Sequence, residues 1–319
     1  MIVKKKNFKF SRIYFLLLIL FLYSFNNFSA IKTCKASETD TLFVGGNGDK
    51  NYSKIQDAID NSHENDTVIV LNGIYNESIV INKSINLIGI NKNNVSINGY
   101  DRLYVFLIES SYVNLSGFTI KGGKIGIFVS GPDFLFNNFS NNNIINNTEG
   151  IRFFNTSNNK IVDNIIQSHS SFGIVLHESC HNTISENLLL DNVKAISINK
   201  WSDNNIIQEN NITENEFGIL FDFSFDNLVV KNYIRNNSYG VYLSNSEGNN
   251  ITNNLIEFNQ KCGIFSSNSD NNVISPNIFL ENKQDIKLDT KPPEIKAFGF
   301  EFLLLFVAIF LIICAKKFK

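Results

Sequence analysis

The stretch from Gly218 to Gly240 reads GILFDFSFDNLVVKNYIRNNSYG, and it is one copy of a unit that recurs along the C-terminal part of the chain. Each copy begins with a small residue followed by an aliphatic one, and successive copies start 22 to 24 residues apart. These dipeptides are Gly126-Ile127, Gly150-Ile151, Gly173-Ile174, Ala195-Ile196, Gly218-Ile219, Gly240-Val241 and Gly263-Ile264, with Asp285-Ile286 as a degenerate last copy. A period of this length indicates stacked units, each too small to bury its own apolar face.

Asparagine recurs every five residues within each unit, and the aliphatic residues between alternate with polar ones. Such alternation is typical of short, half-buried strands. The first file of asparagines is Asn137, Asn159, Asn182, Asn205, Asn227, Asn249 and Asn272. The second is Asn142, Asn164, Asn187, Asn210, Asn232, Asn254 and Asn277; the third is Asn147, Asn192, Asn215, Asn237, Asn259 and Asn282, interrupted at His169. We predict that each file stacks into a ladder at a corner, with asparagine in the left-handed turn conformation and its amide bonded to the next asparagine.

Three short strands in one unit predict one coil of a parallel β-helix, and the chain has room for about ten coils. Upstream, residues 53–62 place Ile55, Ala58 and Ile59 on one helical face, with Ser53 as the expected N-cap. A short amphipathic helix there would close the open end of the stack. The first strands are expected within 66–75, 78–81 and 84–89.

The two ends of the chain predict export and anchoring. A basic stretch up to Arg12 precedes an apolar run, so residues 1–36 are predicted to be a signal peptide, cleaved after Ala30 or Ala36. At the other end, residues 298–315 are predicted to cross the membrane, and lysines follow in the tail, 316–319. The boundaries in between are a cap over 37–66, the β-helix over 67–290 and a linker over 291–297.

The predicted exported part is acidic, with 18 lysines and arginines against 29 aspartates and glutamates between residues 37 and 297. This balance argues against nucleic acid as a partner, because phosphate binding needs a basic surface. Exposed Asn-x-Ser/Thr sites would be open to glycosylation on an exported chain. They include Asn51, Asn65, Asn76, Asn82, Asn94, Asn114, Asn155, Asn211 and Asn250.

The segments Ile55–Asp60 (IQDAID), Asp66–Val70 (DTVIV) and Gly73–Glu77 (GIYNE), followed by the glycine-aliphatic coils, resemble the NosD-type family of right-handed parallel β-helices over about residues 42 to 290. The resemblance implies that fold, which also serves copper-site maturation factors, polysaccharide lyases, hydrolases and epimerases, and surface proteins. The tail from Phe298 to Glu301 resembles the Pro-Gly-Phe sorting tails of archaeal surface proteins, with Phe298 in place of the proline. A fold shared so widely does not select one function.

Copper would need soft ligands, and the chain offers few. Methionine is absent after Met1, and Cys180 and Cys262 lie three to four coils apart, too far for a disulfide. The run His177-Glu-Ser-Cys-His181 is the one candidate metal site, through His177, Cys180 and His181. Its alternative is a set of polar residues at a turn. Calcium is a second possibility, at a coil corner shared by Asp203 and Asp226.

Stacking the coils by their glycines predicts an outward face with one row of polar and aromatic residues. Its candidate carbohydrate-binding residues are Phe154, His177, Asn199, Asp222, Tyr242 and Phe265. Aromatic rings stack on the C–H faces of sugars while polar neighbours bond the hydroxyls. The alternative is an ordinary half-apolar sheet face. For catalysis, His177 as base with Asp222 as its partner is the only candidate pair, although two coils, about 10 Å, would separate them.

These observations favour an exported, membrane-anchored β-helix that presents an elongated surface to carbohydrate or to an envelope protein. A polysaccharide lyase, hydrolase or epimerase is the first alternative and would need clustered carboxylates in one groove. A NosD-type copper maturation factor is the second and would need converging soft ligands. No cofactor other than a calcium ion is expected.

Overall fold

The computed structural model describes residues 39–289, which form a right-handed parallel β-helix of about eleven turns with one α-helix. The predicted signal peptide, linker, membrane span and basic tail lie outside the described residues. Between residues 39 and 289, no helix has the length and apolar character needed to cross a bilayer.

Three parallel sheets of ten strands run along the solenoid. Sheet A contains β1 Thr41–Val44, β2 Thr67–Val70, β5 Asn86–Gly89, β8 Asn114–Ser116, β11 Asn138–Ser140, β14 Lys160–Val162, β17 Thr183–Ser185, β20 Ile206–Gln208, β23 Leu228–Val230 and β26 Asn250–Thr252. Sheet B contains β3 Gly73–Tyr75, β6 Val95–Asn98, β9 Thr119–Lys121, β12 Asn143–Ile145, β15 Ile165–Gln167, β18 Leu188–Leu190, β21 Asn211–Thr213, β24 Tyr233–Arg235, β27 Leu255–Glu257 and β29 Ile278–Leu280. Sheet C contains β4 Ile79–Ile81, β7 Tyr104–Ile108, β10 Ile125–Ser130, β13 Glu149–Phe154, β16 Phe172–His177, β19 Lys194–Asn199, β22 Phe217–Asp222, β25 Tyr239–Ser244, β28 Cys262–Ser267 and β30 Ile286–Asp289.

Each complete coil passes through sheets A, B and C in turn, so that β2 to β4 form the first complete coil and β26 to β28 the last. Partial coils with β1 and with β29 and β30 stand at the two ends. The sequence expectation of a parallel β-helix with coils of 22 to 24 residues is therefore confirmed. Strand β1 lies inside the predicted cap, 37–66, but it already pairs with β2 in sheet A.

The core is a set of aliphatic files that run through successive coils. In β22, Ile219 and Phe221 point inward and are fully buried, whereas Leu220 and Asp222 point outward. Ile219 is in register with Ile196 in one neighbouring coil and Val241 in the other, both also fully buried. Burial of each such side chain contributes about 1.5–3 kcal/mol to the stability of the fold. A single coil cannot bury these side chains without its neighbours.

The recurrent glycine is required by the close approach of neighbouring coils. A Cβ placed on Gly218 would lie 2.4 Å from the carbonyl oxygen of Gly240, which is the equivalent residue one coil further on. Gly150 and Gly173 show the same approach, at 2.4 and 2.6 Å. Since a real Cβ essentially never comes so near to a backbone oxygen, a side chain at any of these three glycines would force neighbouring coils to shift.

All three asparagine files form buried ladders, as predicted, one at each corner of the coil. Asn187 shows the pattern: its Oδ1 accepts the backbone N–H and the amide of Asn164, each at 3.0 Å. Its Nδ2 donates to Asn210 Oδ1 at 3.0 Å and to the carbonyl oxygens of Ile161 and Ser185 at 2.9 Å. The ladder therefore satisfies the backbone groups that a tight corner leaves without strand partners.

The left-handed backbone conformation falls on the residue before each ladder asparagine except Asn277, which follows Pro276, and this corrects the sequence expectation. Asp163, Glu186 and Glu209 have φ of 54°, 58° and 56°, and the ladder asparagines that follow them do not have positive φ. The corner residue turns the chain so that the next side chain points inward to the ladder. An exposed residue thus carries the strain, on the order of 1 kcal/mol, and the buried asparagine supplies the hydrogen bonds.

A fourth ladder of hydroxyl side chains follows the strands of sheet C. The backbone N–H of Thr156 donates to Ser179 Oγ at 3.2 Å, and the N–H of Ser179 donates to Ser202 Oγ at 3.0 Å. All three residues are fully buried. The serine that recurs three residues before the first file of asparagines was the signal for it in the sequence.

The predicted N-terminal helix is present as α1 Ile55–Asn61, with Ile55, Ala58 and Ile59 buried against the first strands. The expected N-cap at Ser53 is wrong. Lys54 holds the N-cap position and makes no side-chain cap. The carboxylate of Glu77 accepts the N–H groups of Ile55 and Gln56 at 3.0 and 3.1 Å instead, because a charged group from the next coil satisfies two free donors at once.

His169 replaces asparagine in the third ladder and is 2% exposed. Its Nδ1 accepts the N–H of Asn147 at 3.2 Å, and its Nε2 lies 3.1 Å from the carbonyl oxygen of Ile144, to which the neutral ring donates. Burial away from water lowers the pKa of His169 to about 4, although the two backbone contacts act in the opposite direction.

Replacing Asn187 by alanine should destabilise the protein by roughly 3 kcal/mol or more, because several buried donors and acceptors lose their partners at 1–3 kcal/mol each. Urea unfolding followed by circular dichroism measures this change. Asn138→Ala is the matched control, since Asn138 lies on the outward side of sheet A and its amide makes one contact of 3.5 Å. Equal losses in both variants would contradict the ladder.

Acidification should destabilise the protein between about pH 6.5 and pH 4 through His169. The unfolded chain binds a proton at His169 below its ordinary pKa of 6.5, whereas the folded chain does so only near 4. Stability from this group is complete above pH 6.5 and falls by on the order of 3 kcal/mol as the pH drops to 4. His169→Asn restores the ladder residue and should flatten this part of the profile of melting temperature against pH. A profile unchanged by the substitution would contradict this role.

Candidate functional site

The outward side of sheet C carries a groove that runs across the strands. Its cavity volume is about 570 Å³. One row of its residues comes from the last position of each strand, where His177, Asn199 and Asp222 lie in register in three consecutive coils. Phe154, in register with His177 one coil earlier, continues this row outside the groove lining. The groove is lined by Phe172, His177, Lys194, Ser197, Asn199, Lys200, Phe217, Leu220, Asp222, Tyr239, Tyr242, Ser244 and Lys261.

An aromatic cluster lies at one end of this groove, with Phe217, Tyr239 and Tyr242 in the lining and Phe265 packed beside it. Tyr242 and Phe265, both named from the sequence, are neighbours in register with ring centroids 4.7 Å apart. Phe217 and Tyr239 complete the cluster: they stack on each other at 5.3 Å, and Tyr242 meets both edge-on at 5.5 and 5.3 Å. Burial raises the pKa of the Tyr242 hydroxyl, and the neighbouring Tyr239 raises it further.

Sequence reasoning missed Phe217 and Tyr239 because it took only the third and fifth positions of each unit to face outward. In β22 and β25 the residue immediately before the glycine also points out, because the strict alternation of side chains breaks at the glycine: the glycine and the aliphatic residue after it are both buried. In the repeat this position reads Glu149, Phe172, Lys194, Phe217, Tyr239 and Cys262. A recurring aromatic or basic residue before the glycine was the signal that could have found them.

Lysines accompany the rings. The Nζ of Lys194 lies 4.6 Å from the ring centroid of Phe172, and that of Lys261 lies 5.0 Å from the ring centroid of Tyr239. One coil beyond Lys261, the Nζ of Lys287 lies 5.2 Å from the ring of Phe265. Cations at these distances from a ring face are attracted by its π electrons.

Two lysines of the groove, Lys200 and Lys261, lie at corners where the coil has one residue more than the repeat. Between Asn199 and Ser202 the chain has one residue more than the coil before, and Lys200 and Trp201 both adopt positive φ, 44° and 57°. Lys261 occupies an extra residue at the corner before β28. Irregular corners at these two places bring positive charge to the groove while the asparagine ladders continue through them.

His177 lies at the other end of the groove from the aromatic cluster. Its ring stacks on Phe154 with centroids 5.2 Å apart, and its Nε2 lies 3.5 Å from the carboxylate of Glu178. Burial lowers the pKa of His177 below its ordinary value, an effect that Glu178 opposes and Lys200 reinforces. A mostly neutral imidazole at pH 7 can accept as well as donate a hydrogen bond.

The two residues named as a catalytic pair share the groove but are separated along it. Asn199 stands between His177 and Asp222 in the register, so two coil spacings, about 10 Å, separate them. Neither is a hydrogen-bond partner of the other. Ser197, beside Asn199, is fully buried and donates to Asn199 Oδ1 at 2.9 Å, which fixes the orientation of that amide.

The sequence-predicted metal ligands His177, Cys180 and His181 are not brought together. Within residues 39–289, ligand atoms of three such side chains approach within 4.8 Å of one another at a single place, formed by Asp40, His63 and Asp66. The thiol of Cys180 instead accepts the N–H of Asp203 at 3.3 Å and lies 3.2 Å from the carbonyl oxygen of Trp201.

The corner suggested for calcium shows structural bonds. Asp203 Oδ1 accepts the N–H of Phe225 at 2.7 Å, and burial raises the pKa of this carboxyl, with a further contribution from Asp226. Cys180 and Cys262 are both free, as predicted, and burial raises the pKa of the Cys262 thiol.

The fold places the chain among the parallel β-helix proteins, and solved structures of this class match it. The mannuronan C-5 epimerase AlgE6 A-module of Azotobacter vinelandii matches 75% of this chain and 95% of its own, at 15% identity and a TM-score of 0.56. Tailspike protein 2 of Escherichia coli O157:H7 bacteriophage CAB120 matches 80% of this chain and 43% of its own, at 13% identity and a TM-score of 0.59. XylC, solved with xylose, matches 72% and 68% at 12% identity and a TM-score of 0.52. At these identities the likeness concerns the fold alone.

The family model of NosD, described as periplasmic copper-binding protein, matches residues 59–239 and 202–296. The chain therefore belongs to the NosD family, as the resemblance in its sequence indicated. No curated protein matches the chain.

Copper, which the family description implies, does not fit the described residues. In the one group of three potential ligands, the Asp66 carboxylate already accepts the N–H groups of Asp40 and His63 at 2.8 and 2.7 Å. That group offers one imidazole and no sulfur, whereas copper sites favour imidazole together with thiolate or thioether. The residues that carry the family resemblance are structural instead, since Glu77 caps α1 and Tyr75 donates its hydroxyl to the Leu71 carbonyl at 2.8 Å.

Proposed function

We propose that this protein binds a polysaccharide chain in the groove on sheet C, at the cell envelope. The observation that carries the proposal is the joining of an aromatic cluster and a polar row in one groove of about 570 Å³. Rings take up the C–H faces of sugars, and amides and hydroxyls bond their hydroxyl groups. Asn199, Asp222 and Ser244 supply those polar groups in three consecutive coils.

The groove suits an extended chain because it crosses the strands and therefore repeats with the coils. Equivalent positions recur about every 4.8 Å along it. A sugar unit in an extended chain advances by a comparable distance, so successive units can meet successive coils. The side chains are preorganised: Tyr242 is held between Phe217, Tyr239 and Phe265, which limits the entropy lost on binding.

Binding is favoured over hydrolysis by the charges that line the groove. Glycoside hydrolysis requires two carboxyl groups that flank the bond, and Asp222 is the one carboxylate among the residues that line this groove. The solved structures with this fold include an epimerase, so released or modified sugar is measured alongside binding.

The location proposed is outside the cytoplasm. The NosD family is described as periplasmic, and residues 1–36 have the pattern of a signal peptide. Anchoring by residues 298–315 is part of the same proposal, with the groove on the outer side of the membrane. A protein with this topology would hold a polysaccharide close to the cell surface.

The double variant Tyr242→Ala with Phe265→Ala should lose at least about tenfold in affinity for a bound polysaccharide, equivalent to about 1.4 kcal/mol. The measurement is affinity electrophoresis and calorimetry of the purified protein against a panel of neutral and acidic polysaccharides, with calcium and with chelator. Loss of binding with chelator would assign calcium a role.

The matched control is Tyr112→Ala with Phe136→Ala, another exposed aromatic pair, stacked at 5.3 Å beside sheet A. Equal losses in both double variants would move the site away from the groove. Release of oligosaccharides that depends on Asp222 would overturn the binding role in favour of an enzyme.

A further inference from the structure

We infer that the groove selects acidic polysaccharide, with carboxylate or sulfate groups on successive sugars, over neutral polysaccharide. This inference rests on the proposed function and assigns the chemical class of its ligand. Its basis is the charge of the groove, which is opposite to that of the molecule around it.

The described residues are acidic, with 16 lysines and arginines against 27 aspartates and glutamates between residues 39 and 289. In the groove the balance is reversed, because Lys194, Lys200 and Lys261 line it together with a single carboxylate, Asp222. A basic groove on an acidic molecule attracts an anionic ligand and confines it to that one place.

The lysines of the groove are not engaged in ion pairs. Across residues 39–289, carboxylates lie within 4.0 Å of the charged groups of His63, Arg152, His177 and Lys231, and of no lysine in the groove. The ammonium groups of Lys194 and Lys261 therefore keep their N–H donors for a ligand.

Three lysines near the aromatic cluster each place their ammonium group over the face of an aromatic ring. Lys194 lies against Phe172 and Lys261 against Tyr239, both at the edge where the strands of sheet C begin, and Lys287 lies against Phe265 in the row of Tyr242. Lys194 and Lys261 are separated by about three coils, roughly 14 Å. Lys200 stands beyond the opposite end of its strand and supplies a cation on the other wall.

This geometry fits a chain that carries one anionic group on each sugar. Charged groups that recur with the sugars would meet cations spaced by whole coils, while the sugar rings contact Tyr242 and its neighbours. A single-stranded nucleic acid also combines charge with flat rings. Here Tyr242 packs edge-on against Phe217 and Tyr239 at 5.5 and 5.3 Å and lies 4.7 Å from Phe265, so the cluster leaves no slot between its rings for a base.

The test uses one polymer backbone with and without its charge: polygalacturonate and the same polymer with its carboxyl groups methyl-esterified. We expect the purified protein to bind polygalacturonate at least about tenfold more tightly, with an affinity that falls as salt is raised. Lys194→Gln with Lys261→Gln should remove most of this preference and the salt dependence that accompanies it. Dextran sulfate beside dextran distinguishes sulfate from carboxylate.

Lys124→Gln with Lys160→Gln is the matched control, since both are exposed lysines outside the groove and the net charge changes equally. Thermal melts of both double variants check folding. Equal affinity for the two forms of the polymer would overturn the inference and leave the proposed function standing. Absence of binding to every polysaccharide would overturn both, and tight binding of oligodeoxythymidylate through Lys194 and Lys261 would assign the groove to nucleic acid.

Discussion

The structure depends on the fit between one coil and the next. Parallel strands stack at one fixed spacing, about 4.8 Å, and every inward-facing group must therefore meet its equivalent in the neighbouring coil at that distance. The apolar files, the three asparagine ladders and the serine ladder all satisfy this condition. It also explains the recurrent glycine, because at Gly218 the next coil leaves no room for a Cβ. Since no coil is stable alone, regularity inside the solenoid is a requirement of folding.

The same constraint leaves the outside of the solenoid free to vary. Outward side chains and corner residues take no part in the ladders, so an extra residue such as Trp201 or Lys261 alters a corner without altering the core. In this protein two of the irregular corners border the groove, and the row of residues before the glycine supplies its rings and Lys194. A groove of this kind has the period of the coils, which suits a ligand that is itself a repeating chain.

The N-terminal segments of the family resemblance and the candidate site occupy different parts of the molecule, although the family match as a whole covers both. The residues of those segments stabilise the N-terminal cap. Ile55 is buried in the core, Glu77 accepts the first N–H of α1, and Tyr75 donates its hydroxyl to a backbone carbonyl. The residues that relate the chain to the NosD family therefore specify the start of the solenoid and the repeat of its coils. The groove on sheet C is formed by residues of later coils, which the motif does not specify, and the described residues offer copper no set of soft ligands.

The sequence by itself determined the repeat, the strands, the ladders and the amphipathic helix, because each depends on a local pattern of period two, five or about 22 residues. It also brought Phe154, His177, Asn199 and Asp222 into one row, since stacking by the glycines is the register of sheet C. It did not identify Glu77 as the cap, the left-handed corner residues that precede ladder asparagines such as Asn187, or Phe217, Tyr239 and Lys194 in the groove. Those were decided by the tertiary structure, because they depend on which residues face each other across separate coils and on the direction in which each corner turns its neighbour.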